Sequence, residues 1–127
     1  MKGIKEVSIE TGLPASTLRY YESEGLIPPV QRTESGLRLY NEEDIEWVYF
    51  VTAMRQTGMS ISLIQKYLEL YYEGDVTISE RRLMMLNHKI HVENQLAEIY
   101  RHLEKINYKL ALYDVLEAEM NNKKLRI

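Results

Sequence analysis

The side chains of this sequence that are equipped for chemistry are hydroxyls and guanidinium groups near its N-terminus. They sit at Ser16, Thr17, Arg19 and Tyr20, and again at Arg32, Arg38 and Tyr40. Hydroxyls exchange hydrogen bonds with phosphates and base edges, and a guanidinium presents a planar fork to guanine or to phosphate. Such groups suit contact with nucleic acid if the fold gathers them on one surface. Cysteine is absent, which removes disulfides, thiolate nucleophiles, thiol redox sensing and Cys-ligated zinc together. There is no Gly-rich phosphate loop and no Ser/His/carboxylate set in a recognisable frame, so no catalytic residue and no cofactor is assigned. His88 and His91 stand three apart, with His102 beyond. They read as flanking positions of a helical repeat, and no metal site is assigned.

The elements that must position these side chains are marked by glycine and proline. All three prolines (Pro14, Pro28, Pro29) and four of the six glycines lie in the first 36 residues, and neither type occurs after Gly74. That asymmetry predicts a head cut by turns and a long helix behind it. Ile4 and Val7 fit a two-turn helix ending near Thr11, with Gly12 as a left-handed stop. Pro14 suits the first position of a second helix, whose inward face is Leu18 and Tyr21, followed by Leu26; Gly25 ends it. Tyr20 and Tyr21 are consecutive and so point about 100° apart, one inward and one out. After Pro28-Pro29, the Ser35-Gly36 turn and the alternating Leu37 and Leu39 predict a small β-hairpin over about 32–40. Asn41, with Asp44 three residues on, predicts the N-cap of a third helix running to about Gln56. Gly58 stops that helix, Ser60 caps a fourth, and Ile61, Ile64, Tyr67, Leu68 and Tyr71 carry it to about Gly74.

From Ser79 to about Glu119 one pattern dominates. Val92, Leu96, Ile99, Leu103, Ile106, Leu110 and Tyr113 recur at alternating steps of four and three, with Met85 in phase upstream. This is a heptad seam, and it predicts self-association of a long helix, since four short helices already close the head. The competing reading is an amphipathic helix folded back on its own head. Leu at one seam position and Ile or Val at the other is not the preference of parallel dimers, so the spacing leaves strand direction open. The expected organisation is a head over 1–75, a long helix over 76–119 and a tail over 120–127, whose basic run Lys123-Lys124-Leu125-Arg126 reads as a solvated terminus.

Two short helices joined by a tight turn (about 4–24) and followed by a hairpin form a winged helix-turn-helix, in a chain that is mainly α. In that arrangement the start of the second helix enters the major groove. The formal net charge of −3 argues against it at first, because phosphate neutralisation supplies much of the affinity for DNA. Residues 1–60 hold six Lys+Arg and nine Asp+Glu, so the head itself is acidic. Placement answers the objection. Glu42, Glu43, Asp44 and Glu46 gather at one helix start, where the dipole favours them, while Arg19, Arg32 and Arg38 belong to the helix and wing. No apolar run approaches the roughly 18 residues that span a bilayer, and no signal peptide is evident, so the expected location is the cytoplasm.

The run Thr17-Leu18-Arg19-Tyr20-Tyr21-Glu22, then Gly25-Leu26-Ile27-Pro28-Pro29, Arg32-Thr33-Glu34-Ser35-Gly36 and Arg38-Leu39-Tyr40, resembles the DNA-binding domain of MerR-family transcriptional regulators. Glu43-Asp44-Ile45 and Gly58-Met59-Ser60-Ile61 extend the resemblance to about the first 70 residues. It implies a homodimer held by an antiparallel coiled coil of the long helices. It further implies binding to a pseudo-palindromic promoter element with an overlong spacer, which the dimer bends and untwists so that RNA polymerase engages both promoter boxes. By position it assigns DNA contacts to Ser16, Thr17, Arg19, Tyr20, Arg38 and Tyr40. Arg32 joins them, and Arg55 with Gln56 reaches a flanking phosphate. Pro14 departs from a capping Ser common in the family, and Ser16 from a longer basic side chain.

The signal is the part the resemblance defines least. Metal-sensing members use cysteines, which this chain lacks. Tyr67, Tyr71, Tyr72, Tyr100 and Tyr108 offer a pocket for an aromatic or cationic small-molecule effector, or pack as ordinary helix neighbours. Two other functions fit the same pattern: an excisionase-like architectural protein that bends DNA without activation, and a coiled-coil adaptor whose winged head binds protein.

Overall fold

Gly12 adopts φ +73°, and its N–H donates to the Ser8 carbonyl at 3.0 Å, so the first helix ends in a left-handed cap that a β-carbon would strain. Similar local signals set most boundaries in the computed structural model, which describes residues 1–125. The order is β1 (Lys2–Gly3), α1 (Ile4–Thr11), α2 (Ala15–Ser23), β2 (Gln31–Arg32), β3 (Arg38–Tyr40), α3 (Glu42–Gln56), α4 (Ile61–Glu73), a 3-10 turn (Asp75–Thr77) and α5 (Ile78–Leu125). The backbone falls into two units, one from Met1 to Leu86 and one from Asn87 onward.

In the first unit the turn between α1 and α2 is short and locally bonded. Thr11 Oγ1 accepts from the Leu13 N–H and donates to the Val7 carbonyl. Pro14 is the N-cap of α2 rather than its first helical residue. Its φ of −59° and ψ of 146° are extended, while its carbonyl accepts from the Thr17 and Leu18 N–H groups. A proline side chain has no oxygen with which to cap, so this helix begins without a side-chain cap.

The wing is wider than a hairpin. β3 pairs antiparallel with β2 (Gln31 with Leu39, Arg32 with Arg38) and also with β1 (Lys2 with Tyr40, Gly3 with Leu39), giving a three-stranded sheet. β1 has only two residues, too short for any periodic signal. Asn41 caps α3 through a reciprocal box, its Oδ1 accepting from the Asp44 N–H at 2.8 Å while Asp44 Oδ2 accepts from the Asn41 N–H at 2.9 Å. Ser60 Oγ caps α4 on the Leu63 N–H. Val7, Leu18, Leu26, Ile27, Tyr40, Val48, Val51 and Ile64 form the fully buried centre, which ties α1, α2, the wing, α3 and α4 together. Met85 packs against this core. The seam's upstream position therefore serves the head, and the first unit extends past residue 75 into the opening turns of α5.

α5 has 48 residues and no buried side chain. It begins at Ile78 and continues to Leu125, so Met120–Leu125 are helix rather than a separate tail; Arg126 of the basic run lies outside the described residues. Along its seam Val92 is half-buried, and Leu96, Ile99, Leu103, Ile106, Leu110 and Tyr113 are exposed. Among the described residues no helix is long and apolar enough to cross a membrane.

Candidate nucleic-acid interface

The side chains of α2 divide cleanly. Leu18 and Tyr21 are buried, while Ser16, Arg19, Tyr20 and Ser23 are exposed. Their spacing of three, four and seven makes them one stripe along the helix. Ser23 was not among the expected contacts, although the same spacing would have marked it. Thr17 is half-buried beside this stripe. Tyr21, the inward partner of Tyr20, fixes the rotation of α2. Its hydroxyl meets Thr52 Oγ1 at 3.1 Å, and since Thr52 donates to the Val48 carbonyl, Tyr21 is the donor.

The wing is joined to α2 by Glu22. Its Oε1 accepts from Arg38 Nε at 2.7 Å and from an Arg32 Nη at 3.3 Å, and its Oε2 accepts from the Val30 N–H at 2.9 Å. Arg32 also donates to the Gly36 carbonyl at 3.2 Å, across the wing turn. One carboxylate thus aligns both wing arginines and anchors the strand leading into them. Burial pushes the Glu22 pKa up, but the Arg38 and Val30 hydrogen bonds and the two arginine charges outweigh it, leaving the carboxyl below its ordinary value. Sequence reasoning missed Glu22 as a site residue. Its one visible signal was an acid at the end of an otherwise DNA-facing segment.

Tyr40 corrects an expectation. Its side chain is fully buried in the core, so it has no surface to offer to DNA. Its hydroxyl has no hydrogen-bond partner among the described residues. Burial raises the Tyr40 pKa; Arg38 and Arg19 pull it down, and Glu22 and Asp44 push it up. Arg55, at the end of α3, is exposed and donates to the Met59 carbonyl at 2.8 Å, which fixes the bend between α3 and α4.

Three of the five tyrosines weighed as a pocket lining or as ordinary helix neighbours lie on two separate cavities of the first unit. Tyr67 and Tyr71 line one cavity with Trp47 and Phe50, and Tyr72 lines another beside Gln65 and Leu68. Tyr100 and Tyr108 are exposed on α5. The His88 and His91 rings lie 5.9 Å apart, and among the described residues no group of three or more His, Asp or Glu stands where it can hold a metal ion.

A tight helix-turn-helix, an exposed polar stripe on its second helix and a sheet-borne wing carrying two arginines define the class of winged helix-turn-helix regulators. Residues 3–70 match the profile of the MerR HTH family regulatory proteins, and the chain belongs to that family. It is 46% identical over 86 residues to the HTH-type transcriptional regulator AdhR of Bacillus subtilis, covering 68% of this chain and 61% of that protein. An HTH-type transcriptional regulator of Haemophilus influenzae is 39% identical over 84% of this chain and 79% of its own length. Among solved structures, a MerR family transcriptional regulator from Listeria monocytogenes superposes with a TM-score of 0.89 at 35% identity, over 99% of this chain and 97% of that one. HiNmlR, a MerR family regulator lacking the sensor domain and bound to promoter DNA, superposes with a TM-score of 0.82 at 36% identity, over 91% and 92% of the two chains.

Proposed function

We propose that this chain acts as a homodimeric transcriptional regulator in the cytoplasm. Two heads engage the halves of a pseudo-palindromic promoter element, and antiparallel α5 helices join through Val92, Leu96, Ile99, Leu103, Ile106, Leu110 and Tyr113. The observation that carries this reading is the exposed stripe of Ser16, Arg19 and Tyr20 on α2, with Arg32 and Arg38 held at the wing by Glu22. It has the form of a recognition helix that reads base edges and a wing that grips the backbone. Family membership and the promoter-bound relative support DNA as the partner. The exposed apolar seam supports the dimer, because a row of apolar side chains this long is stabilised by covering it.

In this reading the dimer spends contact energy on deforming the promoter, and RNA polymerase responds to the altered geometry. An effector biases the protein between a permissive and a non-permissive state. Mapping of bound sites across the genome, followed by transcription in vitro from the strongest, tests the proposal. Discrete promoter sites with overlong spacers and a protein-dependent change in transcript level are expected. Binding without sequence preference, or no transcriptional change at any mapped promoter, would overturn it.

A further inference from the structure

On the α3–α4 side of the head, Trp47, Phe50, Tyr67 and Tyr71 line a cavity of about 290 Å³, with Glu43 and Glu46 completing its wall. The four rings brace one another. Trp47 meets Phe50, Tyr67 and Tyr71 edge-on at centroid distances of 5.7, 6.2 and 5.1 Å, and Phe50 and Tyr67 lie 5.1 Å apart. Tyr71 donates its hydroxyl to Glu43 at 3.2 Å, which fixes the ring against the carboxylate. None of the residues assigned to DNA contact lines this cavity. It lies wholly within the first unit.

Aromatic faces attract cations through the ring quadrupole, and carboxylates at the same opening add a field of the same preference. One intrinsic cation already exploits it: the Arg81 guanidinium stands 5.6 Å from the Tyr71 ring centroid, tethered to Thr77 and to the Gly74 carbonyl. The residues that line the cavity include two carboxylates and no basic side chain. Its volume lies at the small end of ligand pockets, which excludes drug-sized molecules and suits a compact ion.

We propose that the cavity lined by Trp47, Phe50, Tyr67 and Tyr71, with Glu43 and Glu46, binds a small organic cation of the quaternary or alkylated ammonium class. The rings take the ion's apolar surface and the carboxylates its charge. A hydrated inorganic cation lacks the apolar surface, and an anion is repelled.

Trp47 is the only tryptophan in the chain, so its fluorescence reports on the cavity without a label. The full-length protein is titrated with benzyltrimethylammonium and, separately, with its neutral carbon isostere neopentylbenzene, in matched cosolvent. A saturable change in Trp47 emission is expected with the cation, with affinity at least about tenfold weaker for the isostere. Glu46→Gln, an exposed carboxylate changed without loss of volume, is expected to weaken cation binding several-fold while leaving the thermal midpoint unaltered. Equal affinity for cation and isostere would overturn the proposal, as would an unchanged affinity in Glu46→Gln. So would a Trp47 signal that ignores the cation but shifts on diluting the protein through its association range, which would assign this face to a second copy of the chain. Operator binding plays no part in these readouts, so a failed titration leaves the DNA-binding proposal standing.

Discussion

Glu22 shows how one carboxylate on α2 can hold two arginines of the wing in place. Its carboxylate is only 10% exposed and holds Arg38 and Arg32 in place. Glu22→Gln would release both arginines from a fixed anion and raise the head's net charge by one. Binding to random DNA should strengthen by a few-fold, while discrimination for the operator falls; anisotropy titrations on both DNAs read the two effects. The same change should cost roughly 1–2 kcal/mol of stability at neutral pH. Because the Glu22 pKa is depressed on folding, its contribution is complete above the ordinary carboxylate value and is lost as pH falls through the folded value. Chemical denaturation across the acid range should therefore show a weaker loss of stability in Glu22→Gln than in the parent. Tyr40 gives the opposite expectation. Its hydroxyl is buried and unpartnered, so Tyr40→Phe should leave DNA affinity unchanged and stability unchanged or up to about 1 kcal/mol higher. A large loss of operator affinity in that variant would return Tyr40 to the interface.

At the scale of elements, the capping box of α3 is the clearest local determinant. Asn41→Ala removes the acceptor for the Asp44 N–H and should cost about 1 kcal/mol in urea unfolding. This box was legible in the sequence, as were the Gly12 stop, the Ser60 cap and the inward face of α2, because each depends on residues within a few positions of one another; on α4 the pattern found Ile64 and Leu68 but took exposed Tyr71 for buried Leu70. What depends on distant pairing was not legible. β1 exists only because β3 offers it an edge, and its two residues carry no pattern of their own. Glu22 and Arg38 are brought together by the turn into the wing, and nothing local joins them. The wing's inward face was ambiguous for a related reason. Leu37 and Leu39 share one parity and Tyr40 the other, so alternation alone could not choose between them. The structure buries Tyr40 and leaves Leu37 66% exposed. The exposed stripe of α2, by contrast, was largely readable, since Leu18 and Tyr21 define the inward face and Ser16, Arg19 and Tyr20 follow by elimination.

For the whole molecule, the acidic balance sets the regime. With a net charge of −3 and three arginines on helix and wing, a single head has few cations to neutralise phosphates. In the proposed dimer, tight binding is expected to need both heads on one duplex, joined through α5. That the chain from Ile78 onward is one long helix was legible because a periodic pattern needs no tertiary partner to be seen. The end of α5 was not, because no helix stop marks it and the helix runs on to Leu125. Leu103→Lys puts a charge at the middle of the seam and should yield monomers by sedimentation, with operator affinity reduced by a factor of ten or more; a persistent dimer would contradict the assigned interface. The central claim, a dimer that reads a specific promoter through α2 and the wing, is tested most directly by a salt-dependent titration. The parent protein is titrated onto a mapped promoter fragment and onto a scrambled duplex of equal length. The account predicts two chains per promoter duplex, a steep fall in affinity as salt rises, and much weaker binding to the scrambled sequence. A flat salt dependence with equal affinity for the two duplexes would contradict it.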